Sequence, residues 1–330
     1  MRLCSPVRAT WRWLALAVPL TLGCSVSKIV DRATVKTVTP GVLRVGDVGM
    51  ACAVGETATP LSLALGVGED EPRRAAAVSF LSAGMCSELA AWEAELDRRQ
   101  ALYISGHGGD GALWSTLARD AHERERRLHQ EAARRNALAY ERVVAQYGAP
   151  TADQTCPKKR LKEPDQLVFL LGLTAGLLAV LHDGAAERSM GVSLAIPRDV
   201  ERGATCLDDQ RYWRVPTALR AAVWTSVPGA APSGQDPWAM LHEAAAHGER
   251  RGVWLARALE VQAAGAAGRD ELLRAAIEEH ARAAARGPGD PDLALLNSFA
   301  AGIIRHESDR IWMNATGHRT PLVALGTFPG

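Results

Sequence analysis

LVFLLGLTAGLLAVL, residues 167–181, runs for fifteen residues without a charge, and its reading decides the fold. A helix that spans a bilayer takes about 20 apolar residues, and Asp165 and Asp183 close this stretch on both sides. A helix that is apolar all round belongs in the middle of a protein. Gly172 and Gly176 stand four residues apart and leave room for a neighbouring backbone. The stretch is therefore read as a buried central helix, with a wall for an apolar ligand and membrane insertion as the alternatives.

On its N-terminal side lies a long charged hairpin, residues 73–148. A helix running through RRAAAVSFLSAGMCSELAAWEAELDRRQALYI stops at SGHGGDG, residues 105–111, where clustered glycines make a turn. The next 36 residues, 112–147, hold neither Gly nor Pro, enough for a helix of roughly 50 Å. Leu113, Leu117, Ala121, Leu128, Ala132, Ala139 and Val143 form a narrow apolar stripe on it. The remaining faces are charged, so the hairpin is expected to be largely solvated. Residues 24–72 read as an anchoring lead-in segment that packs on the body, and 149–164 as a linker.

On its C-terminal side, residues 165–317 break into short helical segments. Asp236-Pro237 and Asp290-Pro291 mark two helix starts, Asp as the cap and Pro in the first turn. Paired short helices with brief turns are the grammar of helical repeats, although the periods are uneven. Ala, Leu, Arg and Glu dominate and alternating β-branched runs are nearly absent. The fold class predicted is all-α: antiparallel helical hairpins in a degenerate tetratricopeptide-like array around a buried apolar helix, plus the charged hairpin. Residues 318–330 form a tail.

The opening of the chain reads as a leader. Arg2, Arg8 and Arg12 precede a ten-residue apolar run, Trp13 to Leu22, too short to span a membrane. Thr21-Leu22-Gly23-Cys24 then resembles the lipobox of bacterial lipoproteins, although Thr21 replaces the usual Leu. That resemblance implies removal of residues 1–23, lipidation of Cys24, and a cell-envelope address. With Ser25 rather than an acid after the cysteine, the address implied is the outer membrane, facing the periplasm. What remains carries 35 basic and 37 acidic residues, a net charge of −2, which gives no footprint for nucleic acid.

Beyond Cys24 stand Cys52, Cys86, Cys156 and Cys206, an even number suited to an oxidising compartment. Three pairings exist. Cys52–Cys86 with Cys156–Cys206 is favoured, because each pair encloses one stretch and the two do not cross. No two of these cysteines are close enough in sequence to suggest zinc.

Catalytic patterns are sparse. In HEAAAH, His242 and His247 are five residues apart, which turns them about 140° from each other on a helix rather than onto one face. SGHGGDG lacks the Lys-Ser/Thr ending of a phosphate loop, and no Gly-x-Ser-x-Gly elbow is present. Neither a cofactor nor a metal is expected, and no enzyme activity. Tryptophan is the more informative residue: seven lie beyond the leader, against four Phe in the whole chain. Indoles suit a ligand groove as well as a core. Trp213, Trp224, Trp238, Trp254 and Trp312, with Arg310 and His318 near the C-terminus, are the candidates for such a groove.

Together with the lipobox, the phrases GVLRVGDVGMACAVGE, FLSAGMCSELAAW and DRIWMNATGHRTPLVALGTF on an Ala-rich helical body resemble the T-component (TatT-like) lipoproteins of TRAP transporters. The resemblance implies a non-enzymatic transport accessory that works with a periplasmic substrate-binding protein or an envelope transporter, on apolar or lipid-like ligands. A structural scaffold for an envelope assembly is the alternative, and self-association is left open.

Overall fold

The computed structural model describes residues 23–66, 71–158, 161–227 and 229–330. Most of the leader therefore lies outside the described residues, as does the side chain of Cys24. Among the described residues every regular element is helical: α1 Gly23–Ala33, α2 Thr39–Leu43, α3 Val48–Ala64, α4 Arg73–Gly106, α5 Gly111–Tyr147, α6 Glu163–Ala185, α7 Ile196–Ala204, α8 Val215–Ser226, α9 Pro237–Arg250, α10 Leu255–Ala266, α11 Asp270–Ala284 and α12 Ala294–Thr316. A π-helical turn, Thr34–Val38, joins α1 to α2.

The hairpin forms where its sequence places it. Asp110 caps α5, its carboxylate accepting from the backbone N–H of Ala112 and Leu113, both at 3.1 Å. α4 and α5 make the most extensive helix pairing in the molecule. The hairpin is not a solvated arm, however. α4 also packs on α3, α6 and α12, and α5 on α6. Glu88, Glu95, Glu125, His129 and Asn136 are all buried. Arg98 donates to Glu125 across the two helices at 2.6 Å, and Glu95 faces His306 of α12 at 3.0 Å. Glu95 and Glu125 thus meet arginines from other helices, which is how charged side chains survive burial, whereas the two carboxylate oxygens of Glu88 have no hydrogen-bond partner among the described residues. Only the far end behaves as expected of an exposed arm, with Leu102, Leu113 and Leu117 in solvent.

α6 is the central helix. Phe169, Leu173 and Ala175 are at most 1% exposed. α4 and α6 are the two described helices long and apolar enough to cross a membrane, and 67% of the apolar window in each is buried inside the protein. The glycines do what their spacing suggests. A Cβ on Gly172 would sit 2.4 Å from Cγ2 of Val143, and one on Gly176 would sit 2.8 Å from Cδ2 of Tyr140. α5 thus lies directly on the bare face of α6. Buried between them, His129 and His182 share a hydrogen bond between their Nδ1 atoms at 3.0 Å, and His182 faces Glu88 of α4 at 3.3 Å.

The lead-in segment is more regular than its Gly- and Val-rich sequence suggests. Asp31 of α1 caps α4 from outside, accepting from the N–H of Arg74 at 2.9 Å and of Ala75 at 3.1 Å. Arg74 pairs with both Asp31 and Asp165, which ties α1, α4 and α6 together. α3 lies against α4 so closely that a Cβ on Gly55 would fall 2.3 Å from the backbone nitrogen of Ala83. Both disulfides form in the favoured pairing. Cys52–Cys86 joins α3 to α4, and Cys156–Cys206 holds the segment after α5 to the chain beyond α7. Helices α7 to α12 make the second layer, with α10 touching α8, α9, α11 and α12. Asp236 caps α9 as its sequence predicts, and Asp290 opens a 3-10 turn before α12. Arg257 of α10 is 1% exposed and holds Glu249, Glu260 and Glu279 around it.

Candidate ligand cavity

Two hydrophobic cores flank α6, and between them the packing is incomplete. A cavity of about 100 Å³ lies between the α4–α6 face and the α10–α12 face, with α2 over one side. Pockets for drug-sized molecules commonly enclose about 300–1,000 Å³ with mostly apolar walls, so this smaller space suits a compact apolar group or the end of a longer chain. Here Leu170, Leu171, Met85, Leu296, Phe299 and Ile303 supply the wall. Thr174 already spends its hydroxyl on the Leu170 carbonyl, at 3.0 Å. Gln262 is the cavity's one amide. A void with so few polar partners has little to hold water in place.

A second, wider groove of about 930 Å³ lies on the outer side, between the end of α6, α7, the end of α8 and α10. Thr174, Leu178, Leu259 and Gln262 line both spaces. These four side chains therefore stand between the inner cavity and the outer groove.

The backbone is strained where the cavity meets α8. Trp213 and Arg214 both adopt left-handed conformations, φ 54° and 60°, which cost bulky residues on the order of 1–3 kcal/mol each. Asp209 holds this turn. Its carbonyl accepts from the Arg214 N–H at 2.8 Å, and its carboxylate accepts from the Thr217 N–H at 3.0 Å. The outcome is an indole directed to the cavity wall.

Of the seven groove candidates, the structure brings two to these spaces: Trp213 to the inner cavity and Trp224 to the outer groove. Trp224 is buried beneath the Arg220 guanidinium, 4.9 Å from its ring centroid. Trp238 packs at the edge of both cores and carries Arg269 over its ring at 5.5 Å. Trp254 is core, edge-on to His280. Arg310 pairs with Glu95 and Glu307 rather than with its neighbour Asp309. Trp312 donates from Nε1 to the Thr327 carbonyl at 3.0 Å, and His318 is exposed. Arg310 thus joins α12 to α4 and Trp312 ties the C-terminal tail to α12, and none of these last three lines either space.

His242 meets Glu260 and Glu279 of the neighbouring helices, at 3.3 and 3.7 Å. Among the described residues no cluster of three or more His, Cys, Asp or Glu is arranged to hold a metal. The aliphatic wall was not singled out by sequence. Its residues come from α2, α4, α6, α10 and α12, and each looks like ordinary core on its own helix. The one local signal was the all-round apolarity of α6, which contributes Leu167, Leu170, Leu171, Thr174 and Leu178 to the lining. Comparison with protein-family models, with curated proteins and with solved structures gives no match.

Proposed function

We propose that this chain is a lipid-anchored envelope protein that carries an apolar small molecule in its inner cavity, as a non-enzymatic accessory to transport. The observation that carries the reading is the pair of adjoining spaces: a small inner cavity of about 100 Å³ walled by aliphatic side chains, beside an open groove of about 930 Å³. The Cys24 motif supports the anchor, and the resemblance to TatT-like lipoproteins supports a periplasmic substrate-binding protein as the recipient. No catalytic step is assigned. The test is native mass spectrometry of the whole protein, extracted in detergent with its lipids retained. An apolar adduct is expected, and it should be lost from Ala258→Leu, which fills the cavity from α10. An adduct undiminished in that variant would remove the cavity from the reading. A substrate-binding protein absent from every cross-linked pull-down would remove the partner.

A second reading, a scaffold for an envelope assembly, is favoured by Leu102, Leu113 and Leu117, exposed together at the end of the hairpin. Replacing all three by Ser should release an assembly partner while leaving the adduct in place. Retention of the partner would dismiss this reading.

A further inference from the structure

The outer groove differs from the inner cavity in carrying charge. Arg198, Glu201 and Arg202 of α7 line it. Glu201 is answered by Arg220 at 3.3 Å, and Arg202 by Asp199 at 3.3 Å. Arg198 is exposed, and among the described residues its guanidinium has no acceptor within reach. Every carboxylate of the α7 cluster thus has a cation, and one cation is left over. Around it the rim is aliphatic: Leu181, Leu194 and Val227 line the groove and are 47%, 68% and 40% exposed. At its inner end the groove is bounded by Thr174, Leu178, Leu259 and Gln262, which also line the inner cavity.

A uniformly apolar ligand would not need the cation, and a small anion would not need the apolar wall. We infer that the outer groove is a site for an anionic single-chain amphiphile, its acid group at Arg198 and its chain along the groove's apolar wall to Leu259, with its end toward the inner cavity. This rests on the apolar-cargo reading above and specifies the class of cargo. Arg198 supplies up to five N–H donors in a fixed fork suited to a carboxylate or a phosphate. Arg202, one helical turn along, adds positive potential without being free itself. The exposed Leu194 and Val227 cover the first methylenes below the head, where the chain would otherwise remain in water.

The test titrates the full chain, stripped of lipid, with laurate, dodecanol, dodecyltrimethylammonium and lauroyl lysophosphatidate by calorimetry at low salt. Laurate should bind about tenfold more tightly than dodecanol, the low end for a charge-assisted hydrogen bond at a partly exposed site. Arg198→Gln should abolish that advantage and leave dodecanol unchanged, and Leu259→Trp should weaken every ligand by filling the inner end of the groove. The stronger of laurate and lysophosphatidate identifies a free or a glycerol-linked acid as the source, and either supports the site. Equal affinity for laurate and dodecanol, equal affinity for the trimethylammonium head, or an Arg198→Gln variant that weakens laurate and dodecanol alike would overturn the headgroup site while the cavity reading stands. If none of the four binds, the cavity reading itself falls.

Discussion

Replacing Gly172 by Ala in α6 sets two effects of known size against each other. Within a helix, Ala is favoured over Gly by about 1 kcal/mol, because the unfolded glycine has more backbone freedom to lose. Here the added Cβ would lie 2.4 and 2.6 Å from the two Cγ atoms of Val143. Val143 is 1% exposed and, being β-branched in a helix, has one strongly preferred χ1. It cannot swing aside, so α5 and α6 must separate. Overpacking of this kind costs about 1–3 kcal/mol, and contacts this short belong to the upper half of that range. The net expectation is a loss of about 1–2 kcal/mol, or roughly 1.5–3 °C in Tm for a chain of this size. Gly184, in the same helix, is the control. It is exposed and has nothing within 4 Å of its missing Cβ, so Gly184→Ala should raise stability by up to about 1 kcal/mol. Calorimetry of both variants, and of Gly172→Ala combined with Val143→Ala, reads the contest directly. The double variant should cost less than the sum of its two single changes. A Gly172→Ala protein as stable as Gly184→Ala would refute the close packing of α5 on α6.

Acid should weaken the hairpin. Burial, reinforced by His182, holds His129 down to about 4. Between pH 6.5 and 4 the unfolded chain therefore takes up a proton that the folded chain refuses, and stability falls as pH falls, by about 3 kcal/mol across the window. Denaturation measured over that range should show the slope, and His129→Gln should flatten it. Non-reducing peptide mapping should recover Cys52 linked to Cys86 and Cys156 linked to Cys206. Reduction should cost up to about 4 kcal/mol per bridge from loop entropy, and four freely alkylated thiols in the purified protein would contradict both. Cys24→Ala should stop incorporation of labelled palmitate, and persistent labelling of that variant would refute the lipobox.

The hairpin and the central helix were legible because each is decided within one segment. Asp110 and the glycines before it end one helix and cap the next, and fifteen uncharged residues leave α6 no solvent face. The disulfides followed from chain order. The burial of the hairpin was not legible. Glu95 and Glu125 look solvent-facing in a one-helix pattern, and their burial depends on partners distant in sequence, Arg98 27 residues from Glu125 and His306 211 residues from Glu95. The inner end of the α5 stripe held, with Ala132, Ala139 and Val143 buried, whereas Leu113 and Leu117 lie at the exposed end of the hairpin. The cavity was least legible of all, because a void is a relation among several helices and no single helix encodes it.

The two disulfides also set how the protein responds to being pulled. Cys52 lies in the helix that follows the lead-in, and Cys86 lies within α4. Tension applied through the N-terminus can peel α1 and α2 away, but at Cys52 it passes through a covalent bond into the central hairpin. The bridges enclose 34 and 50 residues, so the fully stretched oxidised chain is shorter than the reduced chain by about 290 Å, at about 3.4 Å per residue. A protein tethered at one end and tugged by a partner at the other would thus transmit load around those two loops, leaving α3 and the start of α4 unextended.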